Sequence, residues 1–225
     1  MDLDDAEALI LEAVRRAFQL FLDLILRSVF ADPGRPDWLV WPSEAWNQIV
    51  EDIVVPVAGA VYAQTLTNIP LSQVAPMAAT FVGQDLPPVV DSAHIPDRAQ
   101  QLIFSAAVAG GFTAVAGAGL LSAASPVWQP MLGVMAGNAG AVAVNAADFA
   151  SAQALSDRGR RRVVKTWIAR DDERTRVTHA AVDNSTVSVN DVFNVGGFPL
   201  RYPHDPFGPV SETVNCRCRL RFGEM

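Results

Sequence analysis

The chain has 225 residues, half of them hydrophobic, with charged side chains at only 18% and a net charge of −7. That composition excludes a disordered chain, and the acidic balance excludes a general nucleic-acid binder. Two cysteines exclude a secreted disulfide scaffold, and the acidic start MDLDDAEALI lacks the basic region of a secretory signal.

Residues 5–30 read as one long helix, with Asp2, Asp4 and Asp5 near its positive end. Gln19, Asp23 and Arg27 lie four apart and form a single narrow polar stripe, so the rest of that helix surface is apolar. Such a helix is buried on nearly every side of a bundle or docks on a partner, which makes Phe18 and Phe21 candidate partner-binding residues. Prolines and a glycine break it over residues 31–46, where Trp38, Trp41 and Trp46 are concentrated. Aromatic loop residues are enriched at interfaces, so Trp38 and Trp41 are candidate partner anchors. Equally, two of the three tryptophans can staple the loop onto the bundle. A second helix starts at Ser43 and runs to about Leu66, with a bend expected near Pro56. Five prolines over residues 67–97 predict a connector with one short helix around 71–82.

No charged residue occurs between Arg98 and Asp148. Pro126 and Pro130 divide this stretch into apolar halves, 102–124 and 131–147, each approaching the roughly 20 residues that span a bilayer. Small residues recur every four positions, at Ala106, Gly110, Ala114 and Ala118 and again at Gly133, Gly137 and Ala141, a spacing that lets helix backbones approach closely. The preferred reading is a buried antiparallel helical hairpin. Alanine and glycine insert weakly into lipid, and Ser105, Thr113, Asn138 and Asn145 suit a packed interior. Membrane insertion is the less favoured alternative.

The arginines Arg158, Arg160, Arg161 and Arg162 could touch phosphate, but a solvated linker is the preferred reading. Residues 1–155 carry five basic and fifteen acidic side chains, residues 156–225 twelve and nine, so only the C-terminal part suits phosphate. Val163 to Ile168 has strand composition. Asp171 and Asp172 can then cap a helix through Arg174, Arg176 and His179. On it Asp172, Arg176 and His179 share a face, and an Asp172–Arg176 pair fixes the helix start. Tyr202-Pro203-His204-Asp205-Pro206 reads as a rigid turn in which Asp205 accepts bonds from backbone amides beyond it. In the closing strand Val214, Cys216, Cys218, Leu220 and Phe222 share the inner face, while Asn215, Arg217, Arg219 and Arg221 point outward.

His179, Cys216 and Cys218 supply candidate zinc ligands, with His204 or Asp205 as a fourth. The competing account is two small buried thiols beside a hydrogen-bonded histidine. A disulfide between near neighbours on one strand face is disfavoured by geometry. A Cys216–His179 nucleophile pair is weighed against the inward position of the thiol. With no glycine-rich phosphate loop or paired carboxylates, the chain is not expected to be an enzyme; a metal-dependent enzyme is the weakest alternative.

The pattern K-x-W, D-x-R-T-R-x-T-H, F, Y-P-x-D-P, N-C-R-C resembles the phage Mu protein F-like minor head protein family, also called the phage head morphogenesis domain. Lys165, Trp167, Asp172, Arg174, Arg176, His179, Phe193, Tyr202, Pro203, Asp205, Pro206, Asn215, Cys216, Arg217 and Cys218 carry it. The family pattern has Gly at the positions of Asn184 and His204. Asn tolerates positive φ, whereas His204 places a ligand or proton acceptor where the pattern has none. The resemblance implies a portal-associated minor head protein acting in head morphogenesis and in DNA packaging or ejection. Its partners would be the portal protein, the major capsid protein, or both. It would assemble in the reducing cytoplasm of the host and end inside the phage head. The alternative is a membrane-active virion protein inserting residues 102–147 during ejection. The expected fold class is α+β, with an α-helical region over 1–157 carrying attachment and the hairpin. A motif domain of short antiparallel strands and one helix follows over 158–225.

Overall fold

The computed structural model describes residues 1–31, 43–82, 114–158 and 162–224. Helix α1, Leu3–Ala31, begins where the Asp2 carboxylate accepts the Asp5 amide at 2.8 Å, with Asp4 and Asp5 in its first turn. Its buried residues Ala6, Ile10, Ala13, Val14, Ala17, Phe18 and Phe21 recur at three- and four-residue intervals and therefore form one face. That corrects the expectation of burial on nearly every side, because Leu9, Leu20 and Leu24 are each close to half exposed.

Helix α2, Ser43–Thr65, continues through Pro56 and buries Trp46, Val50, Val54 and Ala58 in the core. Trp46 meets Phe18 and Phe21 edge-on, with ring centroids 6.1 and 5.3 Å apart. Phe18 and Phe21, expected to face a partner, are thus used inside the chain. Trp38 and Trp41 lie outside the described residues. A short helix, α3, spans Leu71–Thr80 as the connector pattern predicts.

The uncharged stretch departs from expectation. Helix α4 runs unbroken over Ala114–Asp157, 44 residues, through Pro126 and Pro130, so no hairpin turn forms at those prolines. Residues 102–113 lie outside the described residues. Close approach occurs between α4 and α1 at Gly140, outside the expected series of Gly133, Gly137 and Ala141: a Cβ there would lie 3.2 Å from the Glu7 nitrogen and 3.3 Å from its Cα. Helices α1, α2 and α4 pack on one another as a bundle. Among the described residues no helix is long and apolar enough to cross a membrane.

Strand β1, Val163–Ile168, lies where the sequence places it, at the centre of an antiparallel sheet of order β2–β1–β5. Strand β2 is Thr186–Ser188 and β5 is Arg219–Glu224. Lys165 pairs with Val187 on one side and Phe222 on the other, and Trp167 pairs with Leu220. A hairpin of β3, Phe193–Val195, and β4, Phe198–Leu200, completes the strands. Two single-turn helices intervene, α5 at Val177–Ala180 and α6 at Val210–Thr213. The chain is α+β. The closing strand is shorter than the alternation predicts: Asn215 has φ of 55°, which no strand residue adopts, and β5 begins only at Arg219. Cys216, Cys218 and Leu220 are nevertheless buried and Asn215, Arg219 and Arg221 exposed.

Candidate metal centre

The sulfurs and the histidine meet in a buried cluster where α5 packs against the segment leading into β5. The expected helix from Asp171 through His179 does not form. Asp171 has φ of 53°, residues 172–175 make a turn, and only Val177–Ala180 is helical. Asp172 therefore pairs with Arg217, at 2.7 and 2.6 Å, rather than with Arg176. It also accepts the Arg174 amide at 3.1 Å and the Thr175 hydroxyl at 3.2 Å. Arg176 instead donates to the Val214 carbonyl. Arg217, expected to point outward, is half-buried, and Arg174 is exposed.

His179 is 2% exposed, and its Nδ1 lies 3.3 Å from Cys218 Sγ and 3.6 Å from Cys216 Sγ. Its Nε2 lies 3.1 Å from Glu212 Oε2, which also accepts the Thr178 hydroxyl at 2.8 Å. A hydrogen bond from the Cys216 thiol holds Cys218 well below the usual thiol range and pushes Cys216 above it, with burial raising both. His179 and the Trp167 indole further favour the Cys218 anion. The Trp167 N–H has no partner within strict hydrogen-bond geometry, so its effect on the sulfur is one of proximity.

His204 and Asp205, the candidate fourth ligands, are otherwise engaged. His204 Nε2–H donates to the Cys216 carbonyl at 2.6 Å, and burial lowers its pKa to about 4. Its φ of 66° lies in the left-handed region, which accounts for glycine at this place in the resembled pattern. Asn184, at φ 58°, behaves as expected. Asp205 is 1% exposed and is clasped by Arg201 at 2.9 and 2.7 Å. It also accepts the amides of Arg201 and Phe207, the second being the expected amide beyond the turn. Asn215 donates its amide to Asn138 of α4 at 2.8 Å.

Lys165 is fully buried with no hydrogen-bond partner for Nζ, which lies over the rings of Phe149 and Phe193 at 4.6 and 5.5 Å. Burial lowers its pKa to about 8. Trp167, also fully buried, packs edge-on against His179 and Phe193. Of the basic cluster, Arg158 and Arg162 are exposed, while Arg160 and Arg161 lie outside the described residues. Sequence reasoning missed Glu212 and Arg201. It also missed Gly196, whose φ of +59° and absent Cβ leave room for the Glu212 carboxylate; a Cβ there would be 2.9 Å from Glu212 Oε1.

No family model and no solved structure matches the chain. Among curated proteins it is similar to an NAD(+)–arginine ADP-ribosyltransferase, EFV, of Enterococcus faecalis, with 41% identity over 56 residues. Those residues are 25% of this chain and 11% of that protein, so the chain spans about a tenth of the length of the curated relative it matches.

Proposed function

We propose that the chain is a bacteriophage minor head protein, associated with the portal vertex and acting in head morphogenesis and in DNA packaging or ejection, without catalytic activity of its own. The observation carrying this reading is the convergence of the pattern that resembles the Mu protein F-like family. Lys165, Trp167, His179, Asp205, Cys216 and Cys218, spread over some fifty positions, are all buried in one unit closed by the pairing of β1 with β5. Widely spaced residues that specify a fold, rather than line an open cleft, suit a structural module. Attachment to the portal or capsid falls to the outer face of α1, where Leu9, Leu20 and Leu24 are exposed. Packaged DNA is met by the arginines Arg158, Arg160, Arg161 and Arg162.

In particles assembled with this chain, it is expected in few copies and cross-linked to the portal protein. Leu20→Asp combined with Leu24→Asp should lower its incorporation while leaving its fold intact by circular dichroism. Particles that lack the chain, or hold it at shell-like copy number without portal cross-links, overturn the reading. The similarity to an arginine ADP-ribosyltransferase favours a second reading, transfer of ADP-ribose to an arginine acceptor. Nicotinamide release above the blank, on incubation with NAD+ and an arginine acceptor, would replace the first reading with the second.

A further inference from the structure

We infer that His179, Cys216 and Cys218 bind one zinc ion and that Glu212 is the positioning residue that holds His179 in its ligating tautomer. The ligand atoms of these three residues all lie within 4.8 Å of one another. With Zn–S near 2.3 Å and Zn–N near 2.05 Å, a tetrahedral angle separates nitrogen from sulfur by about 3.6 Å. The two Nδ1–Sγ distances, 3.3 and 3.6 Å, already approximate that edge.

The surroundings of the histidine point the same way. A zinc-bound imidazole characteristically donates its other N–H to a carboxylate, which fixes the tautomer and raises ligand basicity. Nε2 lies 3.1 Å from Glu212 Oε2, so the tautomer with its proton on Nε2 would donate to Glu212 and leave the Nδ1 lone pair for a metal held by both sulfurs. Glu212 is only 9% exposed, and a carboxylate buried behind a histidine is expensive unless it does something for that ring. Gly196 keeps the space for it open. Packing of two small thiols as apolar filler would require neither residue.

Other chemistries fit less well. Cys218 is 3% exposed, so a substrate has no access to a nucleophilic thiolate. His204 and Asp205 are committed to the Cys216 carbonyl and to Arg201, so the described residues supply three ligands rather than four. Cys216 lines a cavity of about 360 Å³ together with Glu7, Asn138, Arg174 and Arg217, through which water can supply the fourth. Zinc replaces the thiol protons on binding, so its affinity rises with pH.

The inference does not rest on the minor head reading, and its failure would leave that reading standing. The test uses the full chain, purified under reducing conditions from zinc-supplemented cells. Elemental analysis should return about one zinc per chain, and cobalt exchanged into the site should give thiolate charge-transfer absorption and intense tetrahedral d–d bands. Glu212→Gln keeps all three ligands and should weaken zinc about 10- to 100-fold in chelator competition. Cys218→Ser should abolish the cobalt charge-transfer bands or fail to fold; the parent spectrum decides the matter in either case. Reduced parent protein that is metal-free, gives no cobalt bands and melts at the same temperature with and without chelator overturns the proposal. So does a folded Cys218→Ser that still holds stoichiometric zinc.

Discussion

Asp148, on α4, is largely buried, and desolvation raises its pKa from 3.8 to about 6, with a smaller opposing pull from the N-terminal ammonium. The folded state therefore holds a proton there that the unfolded state has lost, and this contribution to stability fades as pH rises from about 4 to about 6. Asp148→Asn should accordingly raise the unfolding free energy at pH 7.5 by up to about 2 kcal/mol, discounted for its partial exposure, and by nothing near pH 4. Urea titrations of both proteins at the two pH values check this; an equal gain at both would show that charge is not the cause. Lys165 makes a parallel case, a buried ammonium with ring contacts but no hydrogen bond. Exchanging an ammonium held this way for an apolar chain of similar shape is often neutral or better, so Lys165→Met should stay within about 1 kcal/mol of the parent. Lys165→Ala, which empties the space between Phe149 and Phe193, should cost about 2–4 kcal/mol. At this scale the sequence was readable where side-chain type announces backbone or burial, as at Cys216, Cys218 and Asn184. Glu212 was not readable, because its burial is decided by a partner 33 residues away and leaves no periodic trace.

Helices show why the middle of the chain was misread. Proline removes one hydrogen bond and adds a clash worth about 3 kcal/mol or more. A turn at Pro126–Pro130 would instead create two helix ends, each with roughly four backbone groups in need of partners. The unbroken α4 avoids both ends. The four-residue series Gly133, Gly137 and Ala141 does not mark the close approach: the backbones of α4 and α1 come together at Gly140, one residue off that series, while Gly133 meets no atom within 4 Å. Gly140→Val should drive α1 from α4 and destabilise by about 1–3 kcal/mol. Gly133→Ala meets no atom within 4 Å and should instead stabilise by about 0.5–1 kcal/mol through helix propensity. Thermal unfolding followed at the helical signal distinguishes the two, and a stable Gly140→Val would mean that the contact is not tight. The short α5 failed for another reason: Asp172 is used by Arg217, 45 positions away, so it is not available to start a helix.

Across the whole molecule, the regions 1–157 and 158–225, expected as separate domains, touch one another through α4. Phe149 packs on Tyr202 with centroids 5.0 Å apart and lies under Lys165, Asn138 accepts the Asn215 amide, and Asn145 reaches the Cys218 carbonyl at 3.5 Å. One hydrophobic cluster runs from Ala6 to Leu220. The full chain should therefore lose α1 and β1 protection in a single hydrogen-exchange transition with denaturant, and two separated transitions would show the two regions unfolding as separate domains. The opposed charges of the two regions, legible in the composition, also meet: Asp2 and Asp4 line one cleft of about 450 Å³ with Arg170, Arg217 and Arg219. Along the same path the backbone turns through left-handed corners at Asn68, Asp171, Asn184, His204 and Asn215. Glycine would serve the backbone equally well at such corners. The route of the chain at these joints thus depends on a tolerance for positive φ rather than on one particular side chain.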